Sequence, residues 1–248
     1  MQYTKLGRTD IEVSRICLGT MTWGTQNSES DGHQQMDHAL GRGVTFWDTA
    51  EMYPIMGGVE RAGRTEEIIG TWLQKNPSRR SEIVLATKIT GNGNKSVRNG
   101  RGIDAKEIKI AIEGSLRRLK TDYVDLYQFH WPQRGSYHFQ QQWDYHPESC
   151  ERAEARDNLL ESLQAVGDLV AEGKVRAFGV SDDSVWGAME LLRLCRSAWS
   201  AASAIGAERI QPVVPAVRYR LGGSGLLRGC RPAGMVAAGD GLVEREVS

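Results

Sequence analysis

The order of apolar runs and amphipathic segments predicts an α/β protein built on a parallel sheet. Two observations carry this expectation. Short β-branched or aromatic runs recur at residues 15–18, 44–48, 83–88, 124–130 and 175–180. Between them lie segments with helical periodicity and recognisable helix starts. The strand ends, near Gly19, Asp48, Lys88, His130 and Ser181, stand roughly 30 to 50 residues apart, room for a crossover helix between parallel neighbours. That spacing fits a closed barrel and an open doubly wound sheet equally.

Each element has its own signal. TKLGRTDIEVSRICLG opens with a short hairpin whose turn runs from Gly7 to Asp10. Thr65 is expected to cap a helix through Ile69 and Leu73. IVLATK is nearly all apolar, as suits a strand buried on both faces. Asp104-Ala-Lys-Glu107 resembles a capping box with Asp in the Ser or Thr place. Ile108, Ile112, Leu116 and Leu119 then share one helix face. Leu159, Leu163, Val166 and Val170 repeat the pattern, and Gly173 stands where a helix stops. A further helix is expected to start near Ser184 and run through Leu192. Residues 91–103 and 132–156 are long, polar and irregular, as functional loops often are.

Composition narrows the class. The 248 residues are close to the lower limit for an α/β barrel, which typically takes about 250. The 40% hydrophobic and 25% charged fractions suit a soluble globular domain. A formal net charge of zero gives no global field for nucleic acid or anionic membrane, so neither is an expected partner. The start, MQYTKLGRTD, has no apolar stretch of the kind a signal peptide needs, and no run approaches the roughly 18 residues of a membrane span. Cys17, Cys150, Cys195 and Cys230 are scattered and form no CxxC, so no metal site and a reduced, cytoplasmic setting are expected.

Four polar residues end up at or just beyond successive strand ends: Asp48 and Tyr53 in VTFWDTAEMY, Lys88 in IVLATK, His130 in VDLYQFH. In parallel α/β folds, catalytic groups collect at that edge. The residue types suit carbonyl reduction. An alkoxide formed at a reduced carbonyl needs a proton, which Tyr53 can give. A neighbouring Lys88 ammonium should lower the phenol's pKa from about 10. Asp48 would hold Lys88, and His130 could orient the carbonyl oxygen. Taken singly, each has a plainer role: Asp48 as a turn cap, Tyr53 as a packed loop aromatic, Lys88 as a solvated strand end, His130 as a hydrogen-bonded core histidine. The joint placement favours the chemical role.

These segments resemble the aldo-keto reductase family. LGTMTWG, FWDTAEMYP, LATK, DLYQFHWP and FGVSDD match its first five barrel strands, and DTAEMY resembles its D-x-A-x-x-Y signature. HWPQR and the basic insert GNGNKSVRNGRGID are similar to a bacterial Tas-like branch. The resemblance covers about residues 1–196. It implies a (β/α)8 TIM barrel, here incomplete with about five recognisable strands. It also implies NADP(H) as cofactor, a small carbonyl substrate, and Tyr53 as proton donor with Asp48, Lys88 and His130 around it. Thr20, Met21, Asp48, Ser181 and Asp182 fall where the family contacts its cofactor. Asp182 stands where the family has Asn, and an ionised Asp cannot donate the amide's hydrogen bond.

Residues 197–248 depart from the family pattern. The later Gln, the stacking Tyr, the S-P-L-x-x-G segment and the basic phosphate grip are not found there. The segment has no Lys, Asn, Thr, Phe or His, and its apolar residues keep no period. Gly223-Ser-Gly225-Leu-Leu-Arg-Gly229 mimics a dinucleotide loop, but Pro212 and Pro215 disfavour a preceding central strand. The expectation is a segment foreign to the barrel, produced by a reading-frame shift or altered splicing. Two other readings of the chain stand beside the reductase: a non-catalytic binding subunit, as in potassium-channel β-subunits, and an inactive truncated product. Translating the coding DNA beyond codon 195 in the other two frames should give an aldo-keto-like continuation in one of them. Unrelated sequence in both would end the frame-shift idea.

Overall fold

The computed structural model describes residues 1–134, Trp143, His146 and 150–201, with side chains through Cys195. A hairpin opens the chain, pairing β1 (Tyr3–Lys5) with β2 (Glu12–Ser14). Among the described residues five parallel strands follow: β3 (Cys17–Gly19), β4 (Phe46–Asp48), β5 (Val84–Ile89), β6 (Val124–Phe129) and β7 (Val175–Val180). Helices α1 (Glu29–Gly41), α2 (Arg64–Lys75), α3 (Ala105–Leu119), α4 (Arg152–Ala171) and α5 (Val185–Ala201) alternate with them.

Strand order separates the two folds that spacing alone left open. The sheet runs β3-β4-β5-β6-β7, so each strand from β4 to β7 pairs with the one before it in the chain. The helices pack in the same succession, α1 on α2, α2 on α3, α3 on α4 and α4 on α5. A doubly wound sheet reverses its strand order and puts helices on both faces. A single winding with one helix layer is the barrel pattern.

Two cores follow from the period of two along each strand. Trp47, Leu85, Tyr127 and Phe178 face the helices, packed with Ile68, Ile69, Ile108, Ile112, Leu163 and Val166. Their neighbours Phe46, Val84, Ala86, Leu126 and Ala177 form an inner cluster, joined by Leu6, Ile11 and Val13 of the hairpin. Register sets Phe46 beside Val84, Ala86 beside Leu126, and Leu126 beside Ala177. The hairpin closes the N-terminal end of this interior. Ser14 Oγ accepts from the Thr45 and Phe46 amides at 3.0 and 3.1 Å.

The helix ends agree with the sequence signals in part. Gly173, at φ +76°, follows α4. Ser184 precedes α5, its Oγ accepting from the Gly187 amide at 3.2 Å. Asp104 caps α3 by accepting from the Glu107 amide at 2.7 Å. The reciprocal half of the expected box is missing, because the Glu107 carboxylate binds Arg98 and Arg101 instead. Thr65 does not cap α2. Gly63 holds the cap position, while the buried Thr65 hydroxyl donates to the Trp23 carbonyl at 2.7 Å. α5 continues five residues into the segment set apart at 197; beyond Ala201 that segment, with its Gly223–Gly229 motif, lies outside the described residues. Among the described residues no helix is long and apolar enough to cross a membrane, and no three His, Cys, Asp or Glu cluster to hold a metal.

Gly70 marks where α2 and α3 touch. A Cβ there would overlap the Arg118 carbonyl oxygen and stand 3.0 Å from the Leu119 carbonyl carbon. Helical Gly→Ala normally stabilises by about 0.5–1 kcal/mol. Gly70→Ala should instead destabilise by about 1–3 kcal/mol. Gly41→Ala, with nothing within 4 Å of its Cβ, should show the ordinary gain. Urea unfolding of both variants checks the contrast.

Candidate active site

Side-chain parity decides what meets at the C-terminal edge of the sheet. Asp48, Lys88 and Gln128 lie two residues beyond Phe46, Ala86 and Leu126, so they point into the same interior. His130 lies two beyond Gln128, its amide donating to the Ile89 carbonyl at 2.9 Å. The turn after β4 continues the ladder onto β5. The Thr49 amide donates to Ala86 and the Glu51 amide to Lys88, at 2.9 and 3.2 Å. This folds Tyr53 back over the strand ends.

The four expected residues come together. Lys88 Nζ donates to Asp48 Oδ2, and to the Thr49 carbonyl at 2.8 Å. Asp48 Oδ1 accepts from Gln128 Nε2 at 3.1 Å. Lys88 Nζ lies 4.9 Å from the centre of the Tyr53 ring. Tyr53 Oη and His130 Nε2 are 3.4 Å apart, their rings edge-on with centres separated by 5.4 Å. Asp48, Tyr53, Lys88 and His130 are all buried. Removing either charge of the buried pair would leave the other uncompensated, at a cost of about 3–5 kcal/mol.

Burial sets the protonation states. It pushes the Tyr53 phenol up; Lys88 pulls the other way but does not outweigh it, and Asp48 adds to the rise. The sequence expectation of a lowered phenol pKa is therefore corrected. The ammonium is present, and desolvation is the larger effect. Burial also pushes the Lys88 ammonium down, but Asp48 and Tyr53 more than reverse this, leaving it above its ordinary value. His130 is held well below its usual range by burial and by the Lys88 charge, so its imidazole is neutral. Cys17, on β3, has its thiol pushed well up by burial and Asp48, which makes it a poor nucleophile.

The residues expected to meet a cofactor flank this group. Thr20 is buried at the end of β3, its hydroxyl donating to the Asp48 carbonyl at 2.8 Å. Met21 is half-buried, its carbonyl accepting from Ile55 at 3.0 Å. Both Asp48 carboxylate oxygens are engaged by Lys88 and Gln128. Ser181 and Asp182 are half-buried beyond β7, with the Ser181 amide donating to Phe129 at 2.8 Å and Asp182 at φ +46°.

Three features escaped the sequence reading. Gln128 shares the parity of His130, which was its available signal. Arg134 and Asp183 form a buried ion pair joining the loops after β6 and β7, with Arg134 also donating to Ser184 Oγ at 3.0 Å. Arg98, in the basic insert, reaches Glu51 in the Tyr53 turn at 2.8 Å. The last two link residues 47 or more apart in sequence, and no local pattern announces them.

Residues 15–220 match the family model described as Aldo/keto reductase family, and the chain belongs to that family. The match takes in residues 197–220, part of the segment set apart by its pattern. The chain is 41% identical over 197 residues to Protein tas of Escherichia coli (strain K12), covering 78% of this chain and 56% of that protein. It is 44% identical over 133 residues to the uncharacterized oxidoreductase YrpG of Bacillus subtilis (strain 168), covering 52% of this chain and 40% of the relative. Over 188 residues it is 33% identical to norsolorinic acid reductase B of Aspergillus parasiticus, 71% of this chain and 42% of that one. The chain thus spans about half the length of the curated relatives it matches.

His130 makes acid stability a probe of the site. Its folded pKa is depressed, so its contribution is intact above the unfolded value of about 6.5 and is lost as pH falls toward the folded value. Each unit of depression is worth about 1.4 kcal/mol. Thermal melts between pH 7.5 and 5 should fall less steeply for His130→Gln than for the unmodified chain. Parallel slopes would show that His130 is not held neutral.

Proposed function

We propose that this chain carries the proton-transfer half of a site that reduces an aldehyde or ketone with NADP(H). The observation that supports it most is the close approach of Tyr53 Oη and His130 Nε2, with the Lys88–Asp48 pair behind the phenol. Two polar atoms 3.4 Å apart can both hydrogen-bond one carbonyl oxygen.

The protonation states assign the roles. His130 is neutral, so it orients and polarises the carbonyl oxygen and is not the acid. Tyr53 keeps its proton through the neutral range and is the donor. As that proton leaves, charge builds on the phenol oxygen, and the Lys88 ammonium stands beside it to stabilise that charge. Asp48 keeps Lys88 charged and in place, with Gln128 and the Thr49 carbonyl fixing both.

The nicotinamide end of NADP(H) fits the residues present. Ser181 and Asp182 offer a hydroxyl and a carboxylate, half-buried at the edge that Tyr53 faces, as acceptors for its amide group. Thr20 and Met21 line the end of β3, the other described border of the sheet. Bound there, NADP(H) would supply hydride to the carbonyl carbon. The relatives' names, an oxidoreductase and a reductase, agree with this reading.

Turnover of a generic aldehyde with NADPH should fall about 10²–10⁴-fold in Tyr53→Phe. Equal kcat/KM in the two proteins would remove Tyr53 from its role. NADPH binding without turnover in the unmodified chain would favour the scaffold reading. A chain with no cooperative melt and no shift on adding NADPH would be the inactive product.

A further inference from the structure

We infer that Glu51 and Arg98 form a latch that fixes the turn carrying Tyr53 against the strand carrying Lys88, and seats the 91–103 loop beside both Tyr53 and His130. They are positioning residues, and the inference rests on the proposed role of Tyr53.

Glu51 lies between Asp48 and Tyr53 and is buried. Both its backbone and its side chain hold the end of β5. Its amide donates to the carbonyl of Lys88 itself at 3.2 Å, and its Oε1 accepts from the Thr90 amide at 2.6 Å. The residue two before the phenol thus grips the chain on either side of Ile89, directly after the ammonium.

Arg98 locks that grip from the other side. Nη2 donates to Glu51 Oε1 and to the Thr90 carbonyl, at 2.8 and 2.6 Å. Nε faces both Glu51 oxygens at 3.3 Å. Nη1 donates to the Gly102 carbonyl at 2.7 Å and to Glu107 Oε2 at 3.3 Å. Five donors of one planar guanidinium are thereby used, an arrangement the three donors of lysine cannot copy. Arg98 and Asn99 both take the left-handed region, at φ +45° and +56°; asparagine does so readily, whereas an arginine there is uncommon and is held by its surroundings.

The loop so held touches the flanks of both reacting groups. Asn94 Nδ2 lies 3.5 Å from the sulfur of Met52, next to Tyr53. The Asn92 carbonyl accepts from Trp131 Nε1 at 3.3 Å, and the Trp131 ring lies 5.2 Å from that of His130. Releasing Arg98 would loosen the Glu51 side of the Tyr53 turn and the loop together, while the Gly63 and Thr65 amides still hold the Tyr53 carbonyl.

The test uses Arg98→Lys and Glu51→Asp in the full chain, with the exposed Lys95→Ala as control. Tyr53 titration is read without turnover, by carbon NMR of ring-labelled tyrosine, the signal being assigned by its loss in Tyr53→Phe. In each latch variant the Tyr53 midpoint should move down toward the ordinary tyrosine value by about half a unit or more as water reaches the phenol. Trypsin cleavage after Lys95 should quicken several-fold, and the control should keep the original midpoint. Unchanged midpoints and cleavage in both latch variants would overturn the inference. So would loss of the cooperative melt in both, which would mark the pair as a determinant of the fold. The two readings fail separately. A chain that reduces no carbonyl while its variants still shift Tyr53 loses the reductase reading and keeps the latch; active protein with unmoved Tyr53 in both variants does the reverse.

Discussion

The buried pair of Lys88 and Asp48 constrains most of what surrounds it. An ammonium and a carboxylate taken out of water are tolerated only when each finds its full set of partners. Here the partners come from the ends of three strands, β3, β4 and β6. Gln128 from β6 serves the second carboxylate oxygen, the carbonyl of Thr49 serves the ammonium, and Thr20 from beyond β3 holds the Asp48 backbone. The pair can exist only where β4, β5 and β6 run side by side in this register. Fold and site are therefore the same geometric requirement.

Low polarity then distributes the charges. In water, histidine would be partly protonated near neutral pH and tyrosine would titrate near 10. In this interior burial keeps His130 neutral, with the Lys88 charge acting in the same direction, and burial also keeps the phenol protonated. Lys88 stays charged because Asp48 is beside it. Burial thus sets the state of two neighbours that carry no net charge, and the ion pair adds to it at His130.

Strand positions were legible because each is a short apolar run bounded by turn residues, and IVLATK shows this most plainly. Asp48, Lys88 and His130 were legible because they stop such runs, and Tyr53 because it follows Asp48 in DTAEMY. What was illegible depends on three-dimensional neighbours. Thr65 looked like a cap, yet its hydroxyl serves Trp23, more than forty positions earlier. Glu107 looked like half of a capping box, yet two arginines claim its carboxylate. The sign of the Tyr53 shift turns on how much water the fold removes, and a sequence does not state burial depth. Gln128 is the exception: counting in twos back from His130 puts it in the interior without any coordinates.

The hairpin at the start of the chain gives the barrel a floor. Leu6, Ile11 and Val13 fill the interior from below, and Ser14 ties that floor to β4, while Asp48, Tyr53, Lys88 and His130 stand at the opposite rim. The packed base and the buried polar group therefore occupy different ends of the same strands. Loops at the rim can be lengthened, shortened or recharged over generations without loosening the base. A lineage with this layout is free to change its rim while inheriting how the chain holds itself together.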